Sequence, residues 1–211
     1  MKTYDDLTAG LQAILLQVTK GYTLAVTFEI RREKAPALTE KWVDAYGVNL
    51  PGWKRTERKR AGLPNAWGAV IPVPGATHLV RAVLLRTDTD LSKLPAESPW
   101  HREQWSDHIE VGDYMVARDQ RDRRDYTTTI KLTPRCLHGL EAHWRTVANL
   151  SLDQLVIEVT AAVSFYPMFG GIRRQLRRLI RGYVKLWAKR RPERPWPGPD
   201  PESLPTIQAF R

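Results

Sequence analysis

Between Gly171 and Pro192 the chain reads GIRRQLRRLIRGYVKLWAKRRP, with apolar residues at helical spacing. Ile172, Leu176, Leu179, Ile180, Tyr183, Val184 and Trp187 fall on one stripe. Arg174, Arg177, Arg178, Arg181, Lys185 and Lys189 fall on the opposite side, with Arg173 and Arg191 at its flank. The spacing predicts an amphipathic helix about 30 Å long, at 1.5 Å per residue.

The same reasoning divides the rest of the chain. Tyr4, Leu7, Leu11, Ile14, Leu15 and Val18 share a face and predict a helix over 4–19, closed by Gly21. Residues 22–32 alternate: Leu24, Val26, Phe28 and Ile30 point one way, and Thr27, Glu29 and Arg31 the other. That is the pattern of a half-buried strand. A helix over about 36–46 places Leu38, Trp42, Val43 and Tyr46 inward, with Gly47 after it. Pro51-Gly52, Gly62 and Pro64-Asn65 mark 48–65 as a loop.

Two strands follow, Trp67–Val73 and His78–Thr87, around Pro74-Gly75. Residues 88–111 read as irregular, with a short helix at Ser98-Pro99. Tyr114–Ala117 and Tyr126–Leu132 predict a hairpin whose tip, RDQRDRRD, is charged or polar throughout. Acids and bases alternate there, which favours a self-paired surface turn. Thr133-Pro134 opens a helix, and Ser151 with Gln154 resembles a capping box for a second one running to about Phe165. Pro167 and Gly170-Gly171 then break the chain before the basic helix. Six prolines between Pro192 and Pro205 predict an extended, poorly packed tail, with Trp196 and Leu204 as its only anchors.

Strands come early and helices gather at the end. The order predicts an α+β fold: a largely antiparallel sheet of about five strands with helices segregated mainly toward the C-terminal part. Residues 1–191 read as one domain ending in the basic helix, and 192–211 as the tail.

Charge changes this picture more than composition does. The 211 residues carry a formal charge of +10, and 42% hydrophobic content suits a packed core. From Arg173 to Arg194 there are ten basic residues and one acid, Glu193; residues 172–191 hold no acid at all. A second cluster, Lys54, Arg55, Arg58, Lys59 and Arg60, contains only Glu57 and lies beside Trp53. Solvated helices usually mix acids with bases for pairing. An acid-free ridge repels itself until something outside neutralises it, so the sequence points to a polyanionic partner.

Nucleic acid fits that partner best. Arg173, Arg174, Arg177, Arg178, Arg181, Lys185 and Lys189 are the expected phosphate contacts of the helix. Lys54, Arg55, Arg58, Lys59 and Arg60 would supply a second contact, with Trp53 stacking on a base. An acidic protein partner is the competing docking reading. A membrane surface ranks below both, because the seven apolar positions are what a core-packing helix needs.

Other chemistry has thinner support. The single cysteine, Cys136, excludes an internal disulfide and a cysteine-rich zinc site, and fits a reducing, cytoplasmic compartment. No phosphate-binding glycine loop, nucleophile elbow or zinc motif is present, so no cofactor and no metal are expected. His101, Asp107, His108 and Glu110 match no trusted metal spacing. Cys136 near His138 reads as a buried structural thiol before a nucleophile. Gly170-Gly171 could cradle a phosphate at a helix start or act as a hinge. The enzymatic alternative is a metal-independent ribonuclease or RNA-processing enzyme using His78, His138 and Tyr126. Plain binding is preferred to catalysis.

Overall fold

The alternation over 22–32 becomes a ten-residue strand, and the sheet around it organises the first half of the chain. The computed structural model describes residues 1–122 and 125–207. Its elements are β1 (Lys2–Thr3), α1 (Leu7–Thr19), β2 (Tyr22–Arg31), α2 (Ala35–Tyr46), α3 (Gly52–Arg60), β3 (Ala66–Val73) and β4 (Ala76–Thr87). Then follow β5 (Glu110–Val111), β6 (Tyr114–Asp122), β7 (Asp125–Leu132), α4 (Pro134–Leu150), α5 (Leu152–Phe165) and α6 (Gly170–Arg190). The fold is α+β, its sheets are mostly antiparallel, and α4, α5 and α6 lie in the C-terminal part.

The strands sort into two sheets, β1-β3-β4-β2 and β5-β6-β7, rather than one of about five. Correspondingly the chain divides into two compact units, Met1–Val111 and Gly112–Arg211, where the sequence reads as one domain over 1–191.

In the first unit β4 is central, antiparallel to both β2 and β3. Alternation gives β4 two buried faces. Ala82 and Leu84 join Trp42, Tyr46, Val48, Ala66 and Trp100 in one core. On the other side Gly10 of α1 meets the Ile71 side chain of β3. Asp6 caps α1, its carboxylate accepting from Ala9 N at 2.7 Å. The helix therefore starts at Leu7, not at residue 4. The residues before it pair instead: Lys2 and Thr3 lie parallel to Ala69 and Val70, and Tyr4 N donates to Val70 O. Gly47 ends α2 with φ +66°, a left-handed residue that a side chain would strain.

The expected loop 48–65 contains α3, which is a correction. Its sequence, GWKRTERKR, has no apolar stripe, so periodicity does not reveal it. Its ends hold it instead. Pro51 occupies the N-cap position with extended backbone. At the other end Gly62 has φ +69°, Gly62 N donates to Lys59 O and Leu63 N to Arg58 O. That pair of bonds is a Schellman motif. Asn65 Nδ2 adds a bond to Arg55 O at 2.9 Å.

In the second unit the hairpin strands run further toward each other than expected. Arg123 and Arg124 of the expected tip lie outside the described residues, as do the side chains of 118–122, Asp125 and Tyr126. Thr133 caps α4 and Ser151 caps α5. Only half the expected capping box forms, since Gln154 Nε2 turns to Glu158 instead. Trp144, Leu155, Val159, Phe169, Ile172, Leu176 and Ile180 are buried. Two features dock α6 on β7. Gly171 N donates to Thr129 Oγ1 at 3.0 Å, and the Gln175 amide both accepts from Leu132 N and donates to Leu132 O.

The tail is mostly exposed but touches α6 at several points along its described length, more than the two anchors expected. Trp196 and Leu204 are anchors, as expected: Leu204 is buried, and the Trp196 ring meets Trp187 edge-on at 5.6 Å. Beyond them, Trp187 Nε1 donates to Arg194 O and Ile207 N to Met168 O.

Candidate nucleic-acid interface

The cationic side of α6 is divided in two by the tail. Proline at six positions removes backbone donors and keeps the tail extended, leaving carbonyls that need donor partners. One row of arginines supplies them. Arg173 Nε donates to Leu204 O at 2.8 Å, and Arg177 Nε to Pro201 O at 2.9 Å. Arg181 Nε reaches the Glu202 carboxylate at 2.7 Å, and Arg177 lies 3.8 Å from the same group. These three of the expected phosphate contacts therefore hold the protein's own tail. The arginines at i, i+4 and i+8 share one side of the helix, which is why one strip of chain engages all three.

At the far end, Arg191 forms a two-pronged pair with Asp153 of α5, at 2.5 and 2.8 Å. Arg190 donates to Ala148 O. Arg174, exposed along most of its length, has its guanidinium pKa drawn downward by partial burial. Arg178, Lys185 and Lys189 are exposed and, among the described residues, form no ion pair. Their spacing puts them on one line of the helix, spanning roughly 16 Å.

The basic cluster of the first unit is helical, so its side chains separate by face. Arg58 turns inward, donating to Pro64 O at 3.0 Å and lying over the Trp100 ring. Burial pushes its pKa down. Arg55 is half-buried, and its Nε is shut from solvent without an acceptor. Lys54, Lys59 and Arg60 are exposed and unpaired among the described residues. Trp53 is 66% exposed, the most open aromatic ring described, and Lys54 Nζ sits 5.3 Å from its centre. The bases in the last turn also favour the helix itself, since cations at a C-terminus complement its dipole.

Of the enzymatic candidates, the Tyr126 side chain lies outside the described residues. His78 lies on β4 and His138 on α4, both exposed and without a side-chain hydrogen bond among the described residues. Cys136 Sγ lies 3.6 Å from Tyr166 OH, and burial raises its pKa, which opposes thiolate formation. Among the described residues no group of three or more His, Cys, Asp or Glu is placed to hold a metal ion. Gly171 has a packing reason: a Cβ there would run into Ile130 O, whereas one on Gly170 would meet only ordinary contacts.

Sequence reasoning missed Lys2 and Lys20. Neither belongs to a charge cluster in the chain, and only the pairing of β1 with β3 and the end of α1 bring them toward Arg55. No family model matches the chain, and no curated protein or solved structure matches it significantly. No described helix is long and apolar enough to cross a membrane.

Proposed function

We propose that the protein binds single-stranded nucleic acid through phosphate contacts and base stacking, in a cytoplasmic setting that suits its single cysteine. The observation that carries this reading is Trp53: a large ring held out in solvent on a helix bearing Lys54, Lys59 and Arg60. Exposing an indole costs hydrophobic burial, and stacking on a base recovers it. The cations beside it attract phosphate without reading sequence. Arg178, Lys185 and Lys189 of α6 supply a second set of contacts. Arg173, Arg177 and Arg181 leave the expected set, because tail carbonyls and Glu202 already occupy them.

The test is fluorescence anisotropy of a labelled oligonucleotide over a salt series. Three to six phosphates neutralised on a single strand give a slope of log K against log salt of about −2 to −4. No binding to DNA or RNA, or an affinity indifferent to salt, overturns the reading.

A further inference from the structure

We infer that the first unit binds a phosphomonoester in the cleft where Lys2, Lys20 and Arg55 converge. Two adjoining cavities of about 440 and 530 Å³ share Lys20, Tyr22 and Arg55 in their walls. Volumes of this order hold small organic ligands. Distant parts of the chain build the site: β1 brings Lys2, the end of α1 Lys20, the start of β2 Tyr22, and α3 Arg55. The wall of the smaller cavity contains no acid, and that of the larger contains one, Asp88.

Two polar groups in these walls lack partners. Arg55 forms no ion pair among the described residues, and its Nε is buried without an acceptor. Asn65 is 5% exposed, and its Oδ1 is likewise unpaired. Leaving such groups unsatisfied costs about 1–3 kcal/mol each. An anion against the part of the Arg55 side chain that lines the cleft supplies the counter-charge that the described residues do not. Three cations match a phosphoryl dianion better than a single carboxylate charge, and the planar guanidinium fits two phosphate oxygens at once. Tyr22 and Val48 supply an apolar wall for the organic group that carries it. This inference does not rest on the nucleic-acid reading: Lys2 and Lys20 are not among that reading's contacts, and Arg55, which the sequence placed among them, turns to the cleft instead.

Isothermal titration of the full chain with inorganic phosphate and adenosine monophosphate tests it, with adenosine as the phosphate-free control. Saturable binding of either phosphate ligand but not adenosine is expected, weakened about tenfold or more in both Arg55→Gln and Lys20→Gln. Lys20 is exposed, and its helix-closing contacts use the backbone N–H, so its variant keeps the fold. A 5′-phosphorylated oligonucleotide that outcompetes its 5′-hydroxyl form in the wild type, but not in Lys20→Gln, identifies a strand end as the source of the phosphate. Equal competition by the two forms identifies a free small molecule. No heat with either phosphate ligand, adenosine binding as well as the monophosphate, or variants that bind like wild type overturns the inference. Oligonucleotide affinity through Trp53 is read separately and survives that failure.

Discussion

The Glu202 carboxylate lies 2.6 Å from the Arg181 guanidinium and 3.8 Å from Arg177, so the tail carries an anion onto the cationic side of α6. A phosphate approaching Arg178 or Lys185 meets that negative charge as well as the cations. Glu202→Gln should tighten oligonucleotide binding by about two- to fivefold at low salt, the effect of roughly 0.5–1 kcal/mol at an exposed pair. Stability should change by no more than about 0.5 kcal/mol, because both partners are more than half exposed. The backbone contacts from Arg173 and Arg177 to the tail do not depend on that carboxylate. Anisotropy and a thermal melt on one preparation check both halves. Unchanged or weaker binding would detach the free cations of α6 from the proposed function.

Trp53→Ala should separate binding from folding. The ring is 66% exposed, so its removal takes little from the core. Stacking on one base contributes about 1–3 kcal/mol, so affinity for a single strand should fall roughly 5- to 150-fold. Duplex affinity should barely move, because paired bases do not offer a face. A melt matching wild type together with equal loss on single and double strands would remove base stacking from the account.

Much of the architecture was legible in the sequence because it follows from periodicity and caps. The alternation at 22–32, the Thr133 and Ser151 caps and the apolar stripe of α6 all appear where local pattern puts them. α3 was not legible as a helix, because it has no fully buried residue and no apolar stripe for periodicity to detect. Pro51 and Gly62, which read as loop punctuation, are its start and stop. The candidate site was half legible for the same reason. Charge clusters pick out α3 and α6, but helical faces decide which bases are free. Arg58 packs over Trp100, Arg55 turns to a cleft, and Arg173, Arg177 and Arg181 hold the tail. Those outcomes depend on distant tertiary partners, and the Gln175 amide on Leu132, 43 residues away, is equally silent in the sequence.

The Asp153–Arg191 pair makes stability depend on pH in a defined direction. The Arg191 hydrogen bond holds the Asp153 carboxyl below its ordinary value of 3.8. A depressed native pKa stabilises the fold above the unfolded value, and that contribution is lost as pH falls through the native value. Asp153→Asn should therefore lower Tm near neutral pH, and the gap to wild type should close as pH drops below 3.8. A gap that persists or widens in acid would mean that Asp153 acts through something other than its charge.

Two glycines of α6 should respond to the same substitution with opposite signs. A methyl group on Gly171 would stand 2.4 Å from Ile130 O and 2.6 Å from Lys131 Cγ, so helix and strand must separate to admit it. The nearer obstacle is backbone, which cannot swing aside. Such overpacking costs about 1–3 kcal/mol, and the displacement would also stretch the bond from Gly171 N to Thr129 Oγ1. Gly182, eleven residues along the same helix, has open space where its Cβ would be. Alanine there gains helix propensity and reduces unfolded-state freedom, together about 0.4–1 kcal/mol of stabilisation. Gly171→Ala should lower Tm by several degrees while Gly182→Ala raises it, and neither touches a free cation. Equal shifts in the two variants would mean that α6 does not approach β7 as closely as Gly171 indicates, and the docking that aims its cationic side outward would need another cause.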